Sequence, residues 1–585
     1  MRIDSTRFGK SASSGASASE TLTPAGDGGE KVSEQFWVIA SVVIIVLAAV
    51  LRFYDLDLVP LHHDEGVNGN FLVRLVREGA YQYNPENYHG PTLYYFAALF
   101  PNLLRILFGA KTQNSIGLTT TAIRVVPAIF GLATVLLVLN LRRNLGTIAT
   151  LSAAFLLAVS PGAVYISRYF IHESLFAFFA FGLVVAALRY YESASPAYLL
   201  LAALSAALLF ASKETAIISA VVVFLAWLVT RFYRALRNKT GDSGASNKQK
   251  KRRKPSAEQQ TGFIARVGGP SRLALWILIA LVVFIGVNVV FYSSFFTNFP
   301  KGIWDSIKTF EFWTKTGKRD HNHPFLTYFW WLLLQEAPLL LLAALGAILT
   351  VLRPTKAFAL FSATWAFGLI VAYSLIKYKT PWLAVNFLVP LALSGGYALE
   401  WIYDELRRLD VGRSLRVAAL IVVWVVVAGF TPGLVRAYTQ KHVHLKTFIP
   451  GYQTLDLNFV NYDNDSQYYV YVYAHTNREL LKLLSEVDAI AQKTPQGNQT
   501  GITVVSREYW PLPWYLRNYT RVGYYGSMAQ SNEPVIIASQ DQAEEVETMF
   551  GDRYKVVQSG FNTAGSFNLR PGVELLLYTR RELVK

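Results

Sequence analysis

Apolar runs of about bilayer length recur through the first 435 residues, each ended by a polar or basic break. The first, FWVIASVVIIVLAAVLRFY at 36–54, has about the 20 residues a helix needs to cross the hydrocarbon core. No small-residue cleavage site follows it, so it reads as an anchor and not a signal peptide. Further spans are expected near 121–141, 147–167, 173–191, 197–211, 215–233, 272–294, 325–352, 357–376, 382–403 and 413–435, eleven in all. The run PTLYYFAALFPNLLRILFG at 91–109 differs. It carries Pro101, Asn102 and Arg105 and suits a helix lying along the interface.

Charge placement chooses between the two topologies. If 91–109 lies flat, the basic breaks Arg142–Arg143, 231–272, Arg353–Lys356 and Arg407–Arg416 share one side, which the positive-inside rule makes the cytoplasm. If it spans, the rule is broken. The flat topology puts residues 61–70 (LHHDEGVNGN), the 168–173 turn, the 295–323 loop and Lys377–Lys379 on the outer side, with 436–585 after an odd number of spans.

Beyond 435 the pattern changes. QYYVYVYA (467–474), EPVIIAS (533–539) and GVELLLYTR (572–580) read as strands. ELLKLLSEVDAIAQK (479–493) and DQAEEVETMF (541–550) read as helices. Such alternation predicts a small extracytoplasmic α/β domain over 436–585. Residues 1–34, rich in Ser, Gly, Thr and Ala, read as a disordered cytoplasmic tail. The expected fold is a polytopic α-helical membrane domain over 35–435, with an outer loop at 55–120 and a basic cytoplasmic linker at 234–271, followed by that α/β domain.

Composition sharpens this. Of 585 residues, 52% are hydrophobic and only 16% charged, too few charges for a soluble chain. Much of the net charge of +16 lies between Arg231 and Arg272, where twelve Lys/Arg face only Asp242 and Glu258, so a cytoplasmic loop near anionic lipid is expected and not nucleic acid. The absence of cysteine excludes disulfides, thiolate metal sites and a Cys nucleophile. No P-loop, GxSxG or HExxH occurs, so no nucleotide-driven chemistry is expected.

Four stretches gather ionisable groups. In HHDEGVNGNFLVRLVREG (62–79), Val67, Phe71, Leu72, Leu75 and Val76 share one helical face, which predicts an amphipathic surface helix with Asp64 and Glu65 at its N-terminus. A solvated loop is the plainer reading of an isolated Asp-Glu pair. SRYFIHES (167–174) places Arg168, His172 and Glu173 at a span end, where a local Arg168–Glu173 pair competes with function. Asp64 and Glu173 could hold a divalent cation, with His62, His63 or His172 completing its shell. SKETA (212–216) sits between two apolar runs. Lys377 and Lys379 stand on the outer side, where an anionic substrate or simple snorkelling accounts for them.

Together these motifs resemble the GT-C superfamily of membrane glycosyltransferases, with HGPTLYYF (89–96), AIRVVPAIFGLATVLLVLNLRRNLG (122–146), LLAVSPGAVYISRYFIHESLFAFF (156–179) and ALLFASKETA (207–216) carrying the likeness. The likeness leans towards dolichyl-phosphate-mannose–protein mannosyltransferases and aminoarabinose transferases. With YKTPWLAVNFLVP (378–390) and YWPLPWYLRNY (509–519), it is nearest to a prokaryotic "flippase activity-associated" group of N-glycosylation loci. The resemblance implies a polyprenyl-phosphate sugar donor, a lipid, glycan or protein acceptor, and inverting transfer at the outer face of a prokaryotic plasma membrane. It implies Asp64 as general base, Glu65 in support, and Glu173 as the second acidic position. Substrate contacts would come from His89, Arg168, His172, Lys213 and Tyr378, with Lys377 and Lys379 on the donor phosphate. A metal at Asp64, Glu173, His62 and His63 is a further expectation. The alternative is a lipid-linked saccharide flippase, or its accessory, without catalysis.

Overall fold

The computed structural model describes residues 32–85, 89–242, 262–316, 321–353, 356–429, 452–460, 462, 469–557 and 565–583. The tail through residue 31, the basic cluster 248–254 and residues 430–451 lie outside the described residues.

The apolar runs are helices. Ser33 caps α1 (Glu34–Phe53), its Oγ accepting from the Phe36 N–H at 3.2 Å. Next come α2 (His63–Glu78), α3 (Thr92–Phe108), α4 (Thr120–Leu139), α5 (Thr147–Val159), α6 (Pro161–Ser167), α7 (Glu173–Ser193) and α8 (Pro196–Phe210). Then follow α9 (Ala216–Asp242), α10 (Pro270–Tyr292), α11 (Lys301–Thr316), α12 (Thr327–Gln335), α13 (Ala337–Leu352), α14 (Ala357–Leu375), α15 (Val385–Arg408) and α16 (Arg413–Gly429). Among the described residues seven helices are long and apolar enough to cross a membrane, or nine if two bent pairs each count as one span. The expected span at 197–211 is the shorter helix α8, and of the one expected at 413–435 the described residues hold α16 as far as Gly429. α15 is the central element, with 94% of its most apolar window buried inside the protein.

Two spans expected to be continuous are broken. α5 and α6 meet at 58°, α12 and α13 at 114°. Pro161 and Pro338 open the second helix of each pair, where a missing N–H costs nothing. The two breaks are joined, because Glu336 accepts from Ser160 Oγ and from the Gly162 N–H, both at 2.8 Å. α3 belongs with the shorter apolar helices, burying Leu93, Tyr94, Ala97 and Pro101 and exposing Leu103, Ile106 and Phe108.

The C-terminal region holds a six-stranded mixed sheet in the order β2–β1–β3–β6–β4, with β5 also on β6. The strands are β1 (Ile502–Val504), β2 (Val522–Tyr524), β3 (Val535–Ser539), β4 (Tyr554–Val556), β5 (Phe567–Arg570) and β6 (Val573–Arg580). β3 lies between a parallel and an antiparallel neighbour and is buried throughout, which explains its unbroken apolar run. Val535 and Ile537 pack with Leu483 and Val487 of α17 (Glu479–Lys493). Ile536 and Ala538 point the other way, onto Val546 and Phe550 of α19 (Ala543–Phe550).

The expected strand at 467–474 is not one. Residues 469–474 are irregular, and Tyr469, Tyr471 and Val472 are buried in the core of the helical domain. The alternation recorded burial, and the burying surface is the end of the helix bundle instead of a sheet.

The sheet domain docks on α2 through YWPLPWYLRNY. Trp514, in the short α18 (Leu512–Tyr515), is 1% exposed and packs in the α2–α3 core. Gly66 and Gly69, one turn apart on α2, make the approach possible. A Cβ at Gly66 would stand 2.5 Å from Pro511 Cβ, and one at Gly69 2.6 Å from the Trp514 ring. Arg77 donates to the Arg517 carbonyl (2.6 Å), and Arg517 to the Leu118 carbonyl (2.6 Å).

Candidate active site

The start of α2 is fixed before it is used. His62 is its N-cap, its Nδ1 accepting from the Asp64 N–H at 3.1 Å. Glu65 reaches back to accept from the His62 N–H at 2.9 Å, closing a capping box. Because Nδ1 accepts, the ring proton sits on Nε2 and is donated to the Tyr473 carbonyl at 3.0 Å. His62 is therefore the neutral tautomer, stacked on His475 with centroids 5.7 Å apart. The backbone at Asp64 is thereby anchored to the C-terminal region.

Asp64 faces a cavity of about 940 Å³ between the helix bundle and the sheet domain. Its lining includes the ionisable residues Asp64, His89, Lys213, Glu214, His321 and Arg570 and the apolar residues Ile217, Ile218, Phe310, Ile376 and Leu383. A small adjoining void of about 20 Å³ is lined by Asp64, His89, His172 and Glu173. The two expected acidic positions, 109 residues apart in sequence, thus meet at one place.

Around that void the charges interlock. Lys213 donates to Glu173 at 2.5 Å, with both side chains buried. Burial opposes charge on Lys213, but the carboxylates of Glu173 and Glu214 outweigh it and hold its pKa above the usual lysine value. Burial likewise opposes charge on Glu214, yet His89 at 3.0 Å outweighs it and holds the carboxyl below its usual range. His172 Nε2 donates to the Gly90 carbonyl at 2.9 Å, while the Gly90 N–H donates to Ser212 at 3.1 Å. The HGPT and SKET turns are held against the start of α7 by these bonds.

Arg570 enters from β5. It donates to the Trp510 carbonyl at 3.3 Å, approaches His63 Nδ1 at 3.5 Å and pairs with Glu508.

The family model of the dolichyl-phosphate-mannose–protein mannosyltransferases matches residues 89–241, which include HGPT, SRYFIHES and SKETA. ArnT from Cupriavidus metallidurans bound to undecaprenyl phosphate superposes with a TM-score of 0.58 at 15% identity, covering 94% of this chain and 99% of that one. Its apo state gives 0.56 at 16% identity, with the same coverage. The chain has the GT-C fold. The archaeal oligosaccharyltransferase AglB from Archaeoglobus fulgidus gives 0.49 at 14% identity, over 94% of this chain and 76% of that one. No curated protein sequence matches.

Within the GT-C fold the expected residues divide. Asp64, His63, His89, Lys213 and Tyr378 line the cavity, and Glu173 and His172 line the adjoining void. Glu65 does not reach either. Its carboxylate accepts from Arg124 at 2.7 and 2.6 Å, from the Phe170 N–H at 2.7 Å and from the His62 N–H, and it is wholly buried. Arg168 is also elsewhere, since it caps α1 by donating to the carbonyls of Tyr54 (2.6 Å) and Asp55 (2.8 Å). Lys377 is exposed and outside the cavity lining. Lys379 is buried, with its Nζ donating to the carbonyls of Ile376 and His323, so it ties two loops together instead of meeting a phosphate. The expected metal set does not fit. Both His62 nitrogens are committed, Glu173 is bonded to Lys213, and no group of three or more His, Asp or Glu stands in ligating arrangement among the described residues.

Sequence reasoning missed Arg570, Glu508, His321 and Tyr473. Arg570 ends β5, just before the Pro571–Gly572 turn, and carries no local signal. Glu214 stands within SKETA and could have been found as a carboxylate between two apolar runs, where a buried charge needs a partner such as His89.

The buried histidines predict an acid limb to stability. Burial pushes His63 down to about 4, with Asp64 only partly countering it, and holds His172 and His475 well below the ordinary value. Unfolded histidines take up protons near 6.5, so acidification favours the unfolded chain. For His63 the stabilisation is fully present above about pH 6.5 and is lost as pH falls towards 4. Melting temperature in detergent should be flat at pH 7–8 and fall below pH 6.5, with a shallower fall in His63→Gln. A flat curve down to pH 4.5 would contradict this.

Proposed function

We propose that this protein is an inverting glycosyltransferase that moves a sugar from a polyprenyl-phosphate donor to an acceptor hydroxyl, with Asp64 as general base. The observation that carries the reading is the cavity itself. A carboxylate 29% exposed at a helix start shares one cavity with Lys213, Arg570 and a group of apolar side chains. An isoprenoid chain suits Ile217, Ile218, Phe310 and Ile376, and a phosphate suits Arg570 and Lys213. The ArnT structure with a TM-score of 0.58 holds undecaprenyl phosphate, which supports this donor class.

In the proposed step the acceptor oxygen forms a bond to the anomeric carbon as the bond from that carbon to the phosphate oxygen breaks. The acceptor proton goes to Asp64, and the electron pair leaves with the polyprenyl phosphate. Arg570 and Lys213 stabilise the developing negative charge. One displacement inverts the sugar. Glu173 acts by holding Lys213, and Glu65 by holding the α2 start. The basic residues Arg142, Arg353 and Lys356, which pair with Glu34, Glu405 and Glu400 at the far end of the bundle, support a cytoplasmic far end and an outward-facing cavity.

The test uses purified protein, a panel of radiolabelled polyprenyl-phosphate sugars and a crude acceptor extract. Release of label from one lipid into acceptor is expected. Tight lipid-phosphate binding with no release from any lipid would overturn the reading in favour of a flippase or its accessory.

The phosphate assignment makes its own prediction. Arg570→Ala should raise the donor KM about tenfold or more, the worth of a lost charge-assisted hydrogen bond. Lys377→Ala should change it little. Steady-state kinetics with varied donor checks both, and a larger effect at Lys377 would return the phosphate to the 377–379 loop.

A further inference from the structure

A second large cavity, of about 790 Å³, lies between α4, α7 and α8 and runs along α7 from Phe178 to Ser193. Its lower walls are apolar, with Leu137, Phe178 and Leu201, and its rim carries Arg143 and Arg189. From Phe178 to Arg189 the helix rises about 16 Å at 1.5 Å per residue. That is close to half of a hydrocarbon core about 30 Å thick, the depth of one leaflet.

The rim is basic. Arg189 is fixed in place, donating to Asn140 Oδ1 (2.9 Å), Asn144 Oδ1 (3.2 Å) and Glu192 (2.6 Å). Arg142 pairs with Glu34, and Arg266 donates to the carbonyls of Tyr191 and Glu192. Arg143 is exposed at the mouth, with no hydrogen bond or ion pair to it among the described residues. Among the residues that line the groove, Arg143 and Arg189 outnumber Glu192, which leaves a net positive charge at headgroup level above walls that match lipid tails. A water-soluble anion has no use for the apolar depth, and a neutral lipid has none for the arginines.

We infer that this groove binds an anionic phospholipid of the leaflet at that end, with Arg143 on its phosphate and the acyl chains along Phe178 and Leu201. The site shares no lining residue with the donor cavity, and it stands whether or not sugar transfer is the activity.

The experiment is native mass spectrometry of the full-length protein in detergent, titrated with phosphatidylglycerol or with phosphatidylcholine of the same chains. Wild type should retain phosphatidylglycerol about fivefold or more over phosphatidylcholine, as one basic residue at an anionic headgroup provides. Arg143→Glu should remove that preference, and Arg143→Lys should keep it. Leu201→Trp, at a position already half exposed, should fill the groove and lower retention of both lipids. Equal retention of the two lipids by wild type would overturn the proposal with no variant needed. So would a preference unchanged in both Arg143→Glu and Leu201→Trp.

Discussion

Asp64→Asn is expected to slow sugar transfer by about 10²–10⁴-fold, the usual contribution of a positioned general base. Melting temperature should be close to wild type. The amide has the same shape, the side chain faces the cavity, and the His62 ring accepts from the Asp64 backbone N–H and not from its side chain. The capping box and its anchor to Tyr473 therefore survive the change. Transfer measured with the productive donor, beside thermal unfolding of the same preparations, separates lost chemistry from lost structure. Full transfer by Asp64→Asn would remove Asp64 from its proposed role.

The second large effect falls on stability. Glu65→Gln leaves Arg124, which is 1% exposed, without its counter-charge in the core. Breaking a buried pair from one side costs about 3–5 kcal/mol, because an uncompensated charge remains. The amide also disturbs the bonds that hold the Phe170 and His62 N–H groups. Glu65→Gln should therefore express poorly or melt far below wild type. The double variant Glu65→Leu with Arg124→Met removes both charges and should recover part of the loss. Full recovery is not expected, since those two N–H groups stay unsatisfied at about 1–3 kcal/mol each. Size-exclusion profiles and thermal unfolding in detergent provide the check. A Glu65→Gln protein of normal stability that is inactive would place Glu65 in the chemistry instead.

These two neighbours show how far the sequence carries. Asp64 and Glu65 are adjacent acids at a helix start, and nothing local distinguishes them. The helix turn separates their directions by about 100°. One then opens on a cavity and the other on Arg124, which lies 59 residues away. The same holds for the lysines. Lys213, Lys377 and Lys379 were all expected substrate contacts, but of the three only Lys213 lines the cavity.

The sequence by itself determined the class and the layout. Apolar run length determined the helical domain, apolar runs and period-3.6 patterns located β3, β6, α17 and α19 of the sheet domain but not its four other strands, and the Asp64 and Glu173 motifs are both found beside the cavity. These are local signals, because hydrophobic length and periodicity are written in consecutive residues. Only the tertiary structure decided which acid faces the cavity, that Arg168 caps α1, that two spans break and join through Glu336, and that Arg570 reaches the site from a distant strand. Each of those depends on which partner a buried charge finds. A buried charge must find one, but the sequence around it does not say which, and the partner is chosen by packing between segments far apart in the chain.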